Sequence, residues 1–321
     1  MIYVVCPAAN ATGGTELCHQ LARTLLDKGV PASMLYVGKR LESPVPERFK
    51  KYALPYITDI RAPGAGDTVV IPETRTLMVH DFPASKKYIW WMSVDNYFLS
   101  LWHRKRRKRI AQRIRRWLGL EKLFDFSDAS VDHLCQSHYA VEFLRQKGVT
   151  RCAYLSDYLN DAFFVEQQAT QRADRVIYNP KKGYEFTRKI IEANPDIEFT
   201  PIENMTPAQI RTLMQTSKVY IDFGNHPGKD RLPRESAICG CCIVTSRDGT
   251  AAFAQDLPIP EHYKIDKKDE SIAEIGRVIR SLLAGYDEKI RDFQPYVEAI
   301  RGEPKAFLEQ VDAFIAASRR A

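Results

Sequence analysis

Two lysines in the second half of the chain stand where a phosphate group could bind. The segment Asn179-Pro180-Lys181-Lys182-Gly183 follows a short apolar run and precedes a helix predicted from residue 183 to 193. The first turn of a helix offers free backbone N–H groups and a partial positive charge, both of which attract anions. Asn179, Lys181 and Lys182 are therefore candidate phosphate or diphosphate ligands, although a lysine pair at a turn can equally be a solvated surface feature.

A second group of charged residues begins another predicted helix, from residue 231 to 239. Arg231 and Arg234 could each bind an anion through two parallel N–H groups of the guanidinium. Glu235 follows them and could serve only to stabilise the positive end of the helix. These side chains are either ligand contacts or ordinary charges at the beginning of a helix.

Paired glycines near the N-terminus would let the backbone approach a ligand closely. Gly13-Gly14-Thr15 follows an apolar strand predicted at residues 2–6 and opens a helix. A glycine has no Cβ to keep a ligand away from the backbone. A third glycine is missing at the spacing of a dinucleotide fingerprint, which argues against a nicotinamide-dependent enzyme.

Two carboxylates follow predicted strands and could remove a proton from a hydroxyl group. Asp95 comes after the apolar run at residues 88–92, and Glu73 comes after the run at residues 69–71. A general base has to project into the site where the hydroxyl binds. Asp95 and Glu73 are therefore the catalytic candidates, and the alternative for each is a loop or helix-capping acid.

Short apolar runs and amphipathic helical segments alternate along the chain. Parallel strands require a helical crossover, so this alternation predicts an α/β fold. One series occupies residues 1–156 and a second occupies residues 174–290, with a polar linker at 157–173. Residues 291–321 form a final helix that could pack back on the first domain. The sequence predicts two Rossmann-like domains facing each other across a cleft.

The net charge of +7 comes from one segment. Residues 102–116 contain nine lysines or arginines and no acid, and the remaining 38 basic and 40 acidic residues nearly balance. Arginines around an apolar face are typical of a helix lying on an anionic membrane, although the same composition could bind nucleic acid or form a solvated face. Nucleic acid is the less favoured partner. The residues expected at the membrane or acceptor are Trp102, Arg106, Arg107, Arg109, Arg113 and Trp117.

The composition also indicates the cellular compartment. No apolar run approaches the roughly 20 residues that span a bilayer, and the first residues lack the features of a signal peptide. The seven cysteines are scattered, and Cys239, Cys241 and Cys242 lack the two separated ligand pairs of a zinc site. We expect a cytoplasmic protein without disulfides or a metal, peripherally associated with the inner face of the membrane.

Three segments, in chain order, resemble the GT-B glycosyltransferases, in particular the large family that includes bacterial capsule and lipopolysaccharide enzymes. Gly13-Gly14-Thr15-Glu16 resembles the glycine loop at the first strand-to-helix turn of that family. Residues 134–149 and 154–164 resemble the last unit of the N-terminal domain and its crossing into the donor domain. Residues 220–223 and 232–241 resemble the acidic donor motif, in which a glutamate opens a helix that ends at a glycine.

The resemblance implies specific ligand contacts. Glu235 would accept hydrogen bonds from the ribose hydroxyl groups of a nucleotide. The family usually has another glutamate eight residues earlier, where this chain has Pro227, so either Asp230 or His226 would contact the sugar instead, or the sugar would be held differently. The donor-binding residues expected in this way are Gly13, Gly14, Thr15, Asn179, Lys181, Lys182, Asp230, Arg231, Arg234, Glu235 and Ser236.

The sequence thus predicts transfer of a hexosyl or related group from a nucleotide-sugar to a lipid-linked or polysaccharide acceptor at the cytoplasmic membrane face. The nucleotide-sugar is a co-substrate, and neither cofactor nor metal is expected. Fixed cations and helix N-termini would offset the negative charge that develops on the leaving diphosphate. The alternative is a non-enzymatic protein that binds nucleic acid or acts as a scaffold through residues 102–118.

Overall fold

The computed structural model describes residues 1–107, 124–159, 163–164 and 171–319, without the side chains of residues 102–107. The chain divides into two compact units. Unit 1 comprises Met1–Asp157 and Lys305–Ala321, and unit 2 comprises Tyr158–Pro304. Among the described residues, no helix is long and apolar enough to cross a membrane.

Unit 1 is built on a parallel sheet of seven strands in the order β3-β2-β1-β4-β5-β6-β7. The chain builds one half of the sheet outward from β1 and then returns to the other side of β1 with β4. The loops after β1 and β4 therefore leave in opposite directions and open a crevice at the carboxyl ends of these strands. The strands are β1 Ile2–Pro7, β2 Ala32–Val37, β3 Tyr56–Ile57, β4 Thr68–Pro72, β5 Lys86–Trp91, β6 Val131–Cys135 and β7 Ala153–Tyr154.

Helices cover this sheet because its strands are apolar on both faces. Every residue of β2 and β4 is buried, as parallel strands between helical layers require. The helices of unit 1 are α1 Gly13–Asp27, α2 Val94–Arg107 and α3 His138–Gln146, with 3-10 turns at Glu47–Tyr52 and Glu73–Asp81. The predicted basic helix at residues 102–118 is described as part of α2 only to Arg107, and residues 108–118 lie outside the described residues.

The last helix of the chain crosses from unit 2 into unit 1. It runs over Gln294–Ser318, and the division between the units falls at Pro304 inside it. Its final turns pack on the unit 1 sheet through Phe314, whose ring lies 5.1 Å from that of Tyr88 in an edge-on contact. Lys86 Nζ also donates to the carbonyl oxygen of Ala317 at 2.8 Å. The last turns thus cover the β5 side of this sheet.

Unit 2 is built on a parallel sheet of four strands in the order β11-β10-β8-β9. The chain moves from β8 to β9 on one side and then to β10 on the other, so the strand order reverses between β8 and β10. Ligands of open α/β sheets bind outside the carboxyl ends of the strands at such a point. The strands are β8 Ala173–Tyr178, β9 Glu198–Pro201, β10 Ser217–Asp222 and β11 Cys242–Thr245. The helices, numbered on from α3, are α4 Tyr184–Ala193, α5 Pro207–Thr216, α6 Arg231–Ile238, α7 Ile272–Ala284 and α8 Tyr286–Lys289; the shared last helix is α9.

Two glycines allow the loops at this edge of unit 2 to touch through their backbones. Gly183 lies at the start of α4, and a Cβ placed on it would collide with the carbonyl oxygen of Phe223. Gly249 follows β11, and its Cβ would collide with the carbonyl oxygen of His226. Both have positive φ, at 60° and 54°. The loops after β8, β10 and β11 are therefore packed backbone to backbone.

Replacing Gly249 by alanine should destabilise the protein by about 3 kcal/mol or more, because positive φ and the collision with His226 both contribute. Gly66 is the matched control: its φ is 83° and nothing lies within 4 Å of a Cβ placed there. Gly66→Ala should cost only about 1 kcal/mol. Urea unfolding measures both costs, and equal values would contradict the close contact at Gly249.

Candidate functional site

The carboxyl edge of the unit 2 sheet brings together residues that are far apart in sequence. Lys182, in the loop after β8, places its Nζ atom 2.7 Å from Oδ1 of Asp230, at the start of α6. The same Nζ lies 3.5 Å from the carbonyl oxygen of Asn225, in the loop after β10. Lys181 is exposed beside it, and its backbone N–H donates to Asn179 Oδ1 at 3.0 Å. Asn179, Lys181, Lys182 and Asp230 thus line the point where the strand order reverses.

The N-terminus of α4 opens at the same edge. Its N-cap position is Gly183, which has no side chain to accept hydrogen bonds from the first turn. The first N–H groups of a helix have no partner within the helix. A phosphate beside Lys182 could therefore accept hydrogen bonds from backbone N–H groups as well as from the lysine.

A buried histidine lies beneath this edge between two aspartates. His226 is only 1% exposed, and its Nδ1 lies 3.2 Å from Asp230 Oδ2. Its Nε2 lies 2.9 Å from Thr245 Oγ1 and 3.9 Å from Asp222 Oδ1. Burial lowers the pKa of His226, but the Asp230 contact and the charges of Asp222 and Asp230 outweigh burial and raise that pKa. Burial raises the pKa of Asp230, and His226 and Lys182 together bring it below its usual value.

These three side chains are also the one group among the described residues whose positions suit a metal ion. The ligand atoms of Asp222, His226 and Asp230 all lie within 4.8 Å of one another. Protein donors, however, already bind three of the four carboxylate oxygens. Asp222 accepts from Tyr220 OH at 2.8 Å and from Gly224 N at 3.0 Å, and Asp230 accepts from Lys182. The group therefore has the bonding of an ion-pair network.

The cysteine cluster of unit 2 lies in the core of that unit. Cys239, Cys241 and Cys242 are all buried. Burial raises the pKa of Cys239 and of Cys242 to about 12 and also raises that of Cys241. Metals bind the thiolate form of cysteine, so these neutral thiols are core residues.

The structure corrects the prediction for Arg234. This side chain is 1% exposed, and its guanidinium donates to Glu303 Oε2 at 2.9 Å and to the carbonyl oxygen of Lys229 at 2.8 Å. Lys229 Nζ binds the other oxygen of Glu303 at 2.7 Å. Removing one partner from a buried ion pair typically costs about 3–5 kcal/mol. Arg234 therefore ties α6 to the last helix, instead of contacting a donor. Glu303 lies 69 residues away in sequence, with no local signal that predicts the pair.

Ser236 is the second correction within the donor motif. It is fully buried, and its Oγ makes no hydrogen bond to any part of the chain that the structure describes. A ligand at the surface cannot reach it. Arg231 and Glu235, on the same helix, are half-buried and stay candidate ligand contacts.

In unit 1 the glycine loop lies at the crevice between β1 and β4. Gly13 is exposed and Gly14 half-buried in the first turn of α1. Thr15 is instead buried, and its hydroxyl donates to the carbonyl oxygen of Asn10 at 2.9 Å. Thr12 and Thr15 also cap the helix reciprocally. Thr15 is therefore a capping residue, which corrects its prediction as a donor contact.

The two candidate bases of unit 1 lie in different environments. Glu73 directly follows β4, is 3% exposed and accepts a hydrogen bond from Met92 N at 3.3 Å. Burial raises the pKa of Glu73 to about 8, so its carboxyl is neutral at pH 7. Asp95 lies in the first turn of α2, is half-buried and accepts from Tyr139 OH at 3.2 Å. Only Asp95 has a surface that a hydroxyl group could reach.

The structure describes only the first part of the predicted membrane segment. On α2, Phe98 and Leu99 are exposed by 47% and 50%. The predictions for Trp102, Arg106 and Arg107 concern side chains outside the described residues, and Arg109, Arg113 and Trp117 lie outside them entirely.

No family model and no curated protein matches this chain by sequence. Solved structures do match it. HepE of Anabaena, solved with UDP and with UDP-glucose, is 11% identical with a TM-score of 0.62, over 98% of this chain and 99% of HepE. WaaG, a glycosyltransferase involved in lipopolysaccharide biosynthesis, is 10% identical with a TM-score of 0.56, over 97% of this chain and 99% of WaaG.

The pneumococcal O-GlcNAc transferase GtfA, solved with UDP and GlcNAc, matches 80% of this chain at 12% identity with a TM-score of 0.52. This chain spans 58% of the length of GtfA. Likeness at such identities establishes the fold and not the substrate. With its two parallel Rossmann-like sheets, the chain has the GT-B fold of glycosyltransferases.

Proposed function

We propose that the chain is a glycosyltransferase that binds the diphosphate of a nucleotide-sugar donor at the carboxyl edge of the unit 2 sheet. The observation that carries the proposal is the position of Lys182. Its Nζ lies at the reversal of strand order, 2.7 Å from Asp230, and the residue directly precedes Gly183, the uncapped N-terminus of α4. A cation and free N–H groups at this place suit a diphosphate.

The same groups suit the chemistry of sugar transfer. Negative charge grows on the diphosphate as the bond to the sugar breaks, and fixed positive groups stabilise that charge without a cofactor. We infer that transfer needs no metal, because the carboxylates of Asp222 and Asp230 are already bound to Tyr220, Gly224 and Lys182. UDP and UDP-glucose in HepE favour a uridine donor.

The remaining donor contacts follow from the family resemblance. Glu235 would accept hydrogen bonds from the ribose, and Arg231 and Lys181 would add positive charge near the phosphates. Both Arg231 and Glu235 are half-buried on α6, and Lys181 is exposed. In unit 1, Gly13 is exposed and Gly14 half-buried, and both stay candidate ligand contacts of that unit.

Lys182→Met should weaken nucleotide binding about tenfold or more, because a hydrogen bond to a charged group contributes roughly 1.5–3 kcal/mol. Thermal stabilisation by UDP, GDP, dTDP, ADP and CMP would first select the base, and calorimetry would then give the dissociation constants. Glu235→Gln should weaken binding of the selected nucleotide as well.

Lys189→Met is the matched control. Lys189 is a unit 2 lysine that also pairs with an aspartate at 2.7 Å, Asp269, but it lies on the exposed surface of α4. Its replacement should leave nucleotide binding unchanged. Equal effects of the Lys182 and Lys189 variants, or no stabilisation by any nucleotide, would refute the proposed donor site.

We propose Asp95 as the base that accepts the acceptor hydroxyl proton, if transfer inverts the anomeric centre. Asp95 is half-buried, whereas Glu73 is enclosed. A base must reach the hydroxyl that it deprotonates and must be ionised at the working pH. With a pKa of about 8, the Glu73 carboxyl is mostly neutral at pH 7 and below.

Asp95→Asn should keep nucleotide binding and lose transfer of labelled sugar to a lipid extract, whereas Glu73→Gln should keep both. The folded pKa of Glu73 lies above its unfolded value, so its contribution to stability is complete below pH 4.5 and is lost as pH rises to about 8. Glu73→Gln should therefore gain stability over the wild type by roughly 1.4 kcal/mol per pH unit in that window. Loss of transfer in Glu73→Gln alone would reverse the two roles.

We propose a lipid-linked or polysaccharide acceptor at an anionic membrane surface. The support is the composition of residues 102–116, with nine basic residues and no acid, next to the exposed apolar Phe98 and Leu99. Basic and apolar side chains together bind anionic lipid surfaces more strongly than either does alone.

Replacing Phe98 and Leu99 together by serine should lower the affinity for phosphatidylglycerol vesicles by about tenfold or more, because burying each side chain in the membrane contributes roughly 1.5–3 kcal/mol. Co-sedimentation with the vesicles measures this affinity. Leu308→Ser is the control, since Leu308 is 47% exposed on the last helix. If vesicles bind neither wild type nor variant while RNA or DNA binds both in a salt-dependent way, the nucleic-acid alternative is favoured.

A further inference from the structure

His226 is a buried histidine that the sugar-transfer chemistry above does not use. The sequence resemblance offers it as a sugar contact, but its side chain is 1% exposed. It contacts three segments: the end of β10 at Asp222, the end of β11 at Thr245 and the start of α6 at Asp230. His226 therefore lies where the loops of the candidate donor site join.

Both ring nitrogens of His226 face oxygen atoms. Thr245 Oγ1 lies 2.9 Å from the carbonyl oxygen of Asp222 and 2.9 Å from His226 Nε2, and a hydroxyl proton given to the carbonyl leaves a lone pair facing the ring. That nitrogen also faces the Asp222 carbonyl oxygen at 3.4 Å, so it has only acceptors before it. Nδ1 faces Asp230 Oδ2, an oxygen of an ionised carboxylate. Only the imidazolium cation can donate in both directions.

The surroundings of the buried oxygen Asp230 Oδ2 also favour a cationic ring at His226. Asp230 Oδ2 receives no straight hydrogen bond from the described residues, and the ring of His226 is its neighbour at 3.2 Å. A carboxylate oxygen buried beside a neutral ring would have no compensating charge, which is costly. A cationic ring supplies that charge, while Asp230 Oδ1 holds Lys182.

The other charged groups near the ring of His226 are paired with other side chains or do not face the ring directly. Lys229, Arg234 and Asp256 line a cavity of about 10 Å³ beside His226, room for roughly one water molecule. Lys229 and Arg234 both bind Glu303. Asp222 and Asp230 are therefore the charges that face the ring directly.

Resting on the donor site proposed above, we propose that His226 is a positioning residue: its imidazolium holds Asp230, and Asp230 holds Lys182 at the diphosphate position. The protonation of His226 also sets the total charge at the proposed donor site. With the imidazolium present, Asp222, His226, Asp230 and Lys182 sum to zero. With a neutral ring the sum is −1, which repels the diphosphate and leaves Asp230 held only by Lys182. Nucleotide binding therefore depends on the protonation of a side chain that the nucleotide does not touch.

The direction of the His226 pKa shift sets the expected pH dependence of nucleotide binding. The folded pKa of His226 is raised above 6.5, so the charge is complete below pH 6.5 and is lost as pH rises through the raised value. Above about pH 7 the diphosphate is already fully ionised. Wild-type nucleotide binding should weaken as the ring loses its proton, by about tenfold for each pKa unit of interaction.

The test compares the wild type with His226→Asn and His226→Gln, whose amides can donate to Asp230 or to Thr245 but do not titrate. Both variants should bind the nucleotide about tenfold more weakly than the wild type at pH 7, and with a flat profile up to pH 9. His262→Gln is the control, because His262 is an exposed histidine of unit 2. Its profile should match that of the wild type. Circular dichroism and thermal melting establish that each variant is folded.

A second measurement addresses the ring without any nucleotide. Nitrogen-15 NMR of labelled histidine at pH 7 should give His226, assigned by its loss in His226→Asn, the shifts of a doubly protonated ring. A singly protonated ring, or variant profiles parallel to that of the wild type, would overturn the proposal. Nucleotide binding that requires Mn²⁺ and is lost in His226→Asn would also overturn it, in favour of a metal site at Asp222, His226 and Asp230. A doubly protonated ring in a protein that binds no nucleotide would refute the donor site and leave the ion-pair network standing.

Discussion

Parallel pairing is the constraint on which the arrangement of this protein depends. Parallel neighbours need a crossover between them, so every strand of unit 2 ends at the same edge of its sheet. That edge collects the loops after β8, β10 and β11, and the reversal of strand order between β8 and β10 opens a place for a ligand there. Lys182 and Asp230, 48 residues apart, meet for this reason and not because of any local motif.

The same constraint explains which part of the fold the sequence could predict. Apolar runs and helical periodicity identify strands and helices locally, so the predicted α/β class is confirmed and the helix predicted at residues 231–239 lies at Arg231–Ile238. The glycine loop and the helix before Gly240 could be found because they depend on neighbours in sequence. Glu303 could not: its partner Arg234 is 69 residues away, and nothing in either local sequence selects the other.

The errors within the donor motif have one physical cause. A helix at the edge of a sheet has an outer face and an inner face, and a motif matched by sequence carries no record of which residues face inward. On α6, Arg234 and Ser236 face the core, whereas Arg231 and Glu235 are only half-buried. Thr15 of α1 is buried for a related reason, because the first turn of that helix needs its hydroxyl as a cap. Residue type and the family resemblance suggested ligand contacts for all of them without this information.

The buried acids Glu73 of unit 1 and Asp230 of unit 2 differ in their protonation state. Glu73 has no cation beside it among the described residues, so burial leaves its carboxyl neutral with a pKa of about 8. Asp230 is surrounded by Lys182 and His226, which keep it ionised although most of it is buried. Removing a carboxylate from water is costly unless a positive charge replaces the lost hydration. Asp230 therefore stays ionised beside Lys182, and the imidazolium proposed for His226 would meet the same requirement that leaves Glu73 neutral.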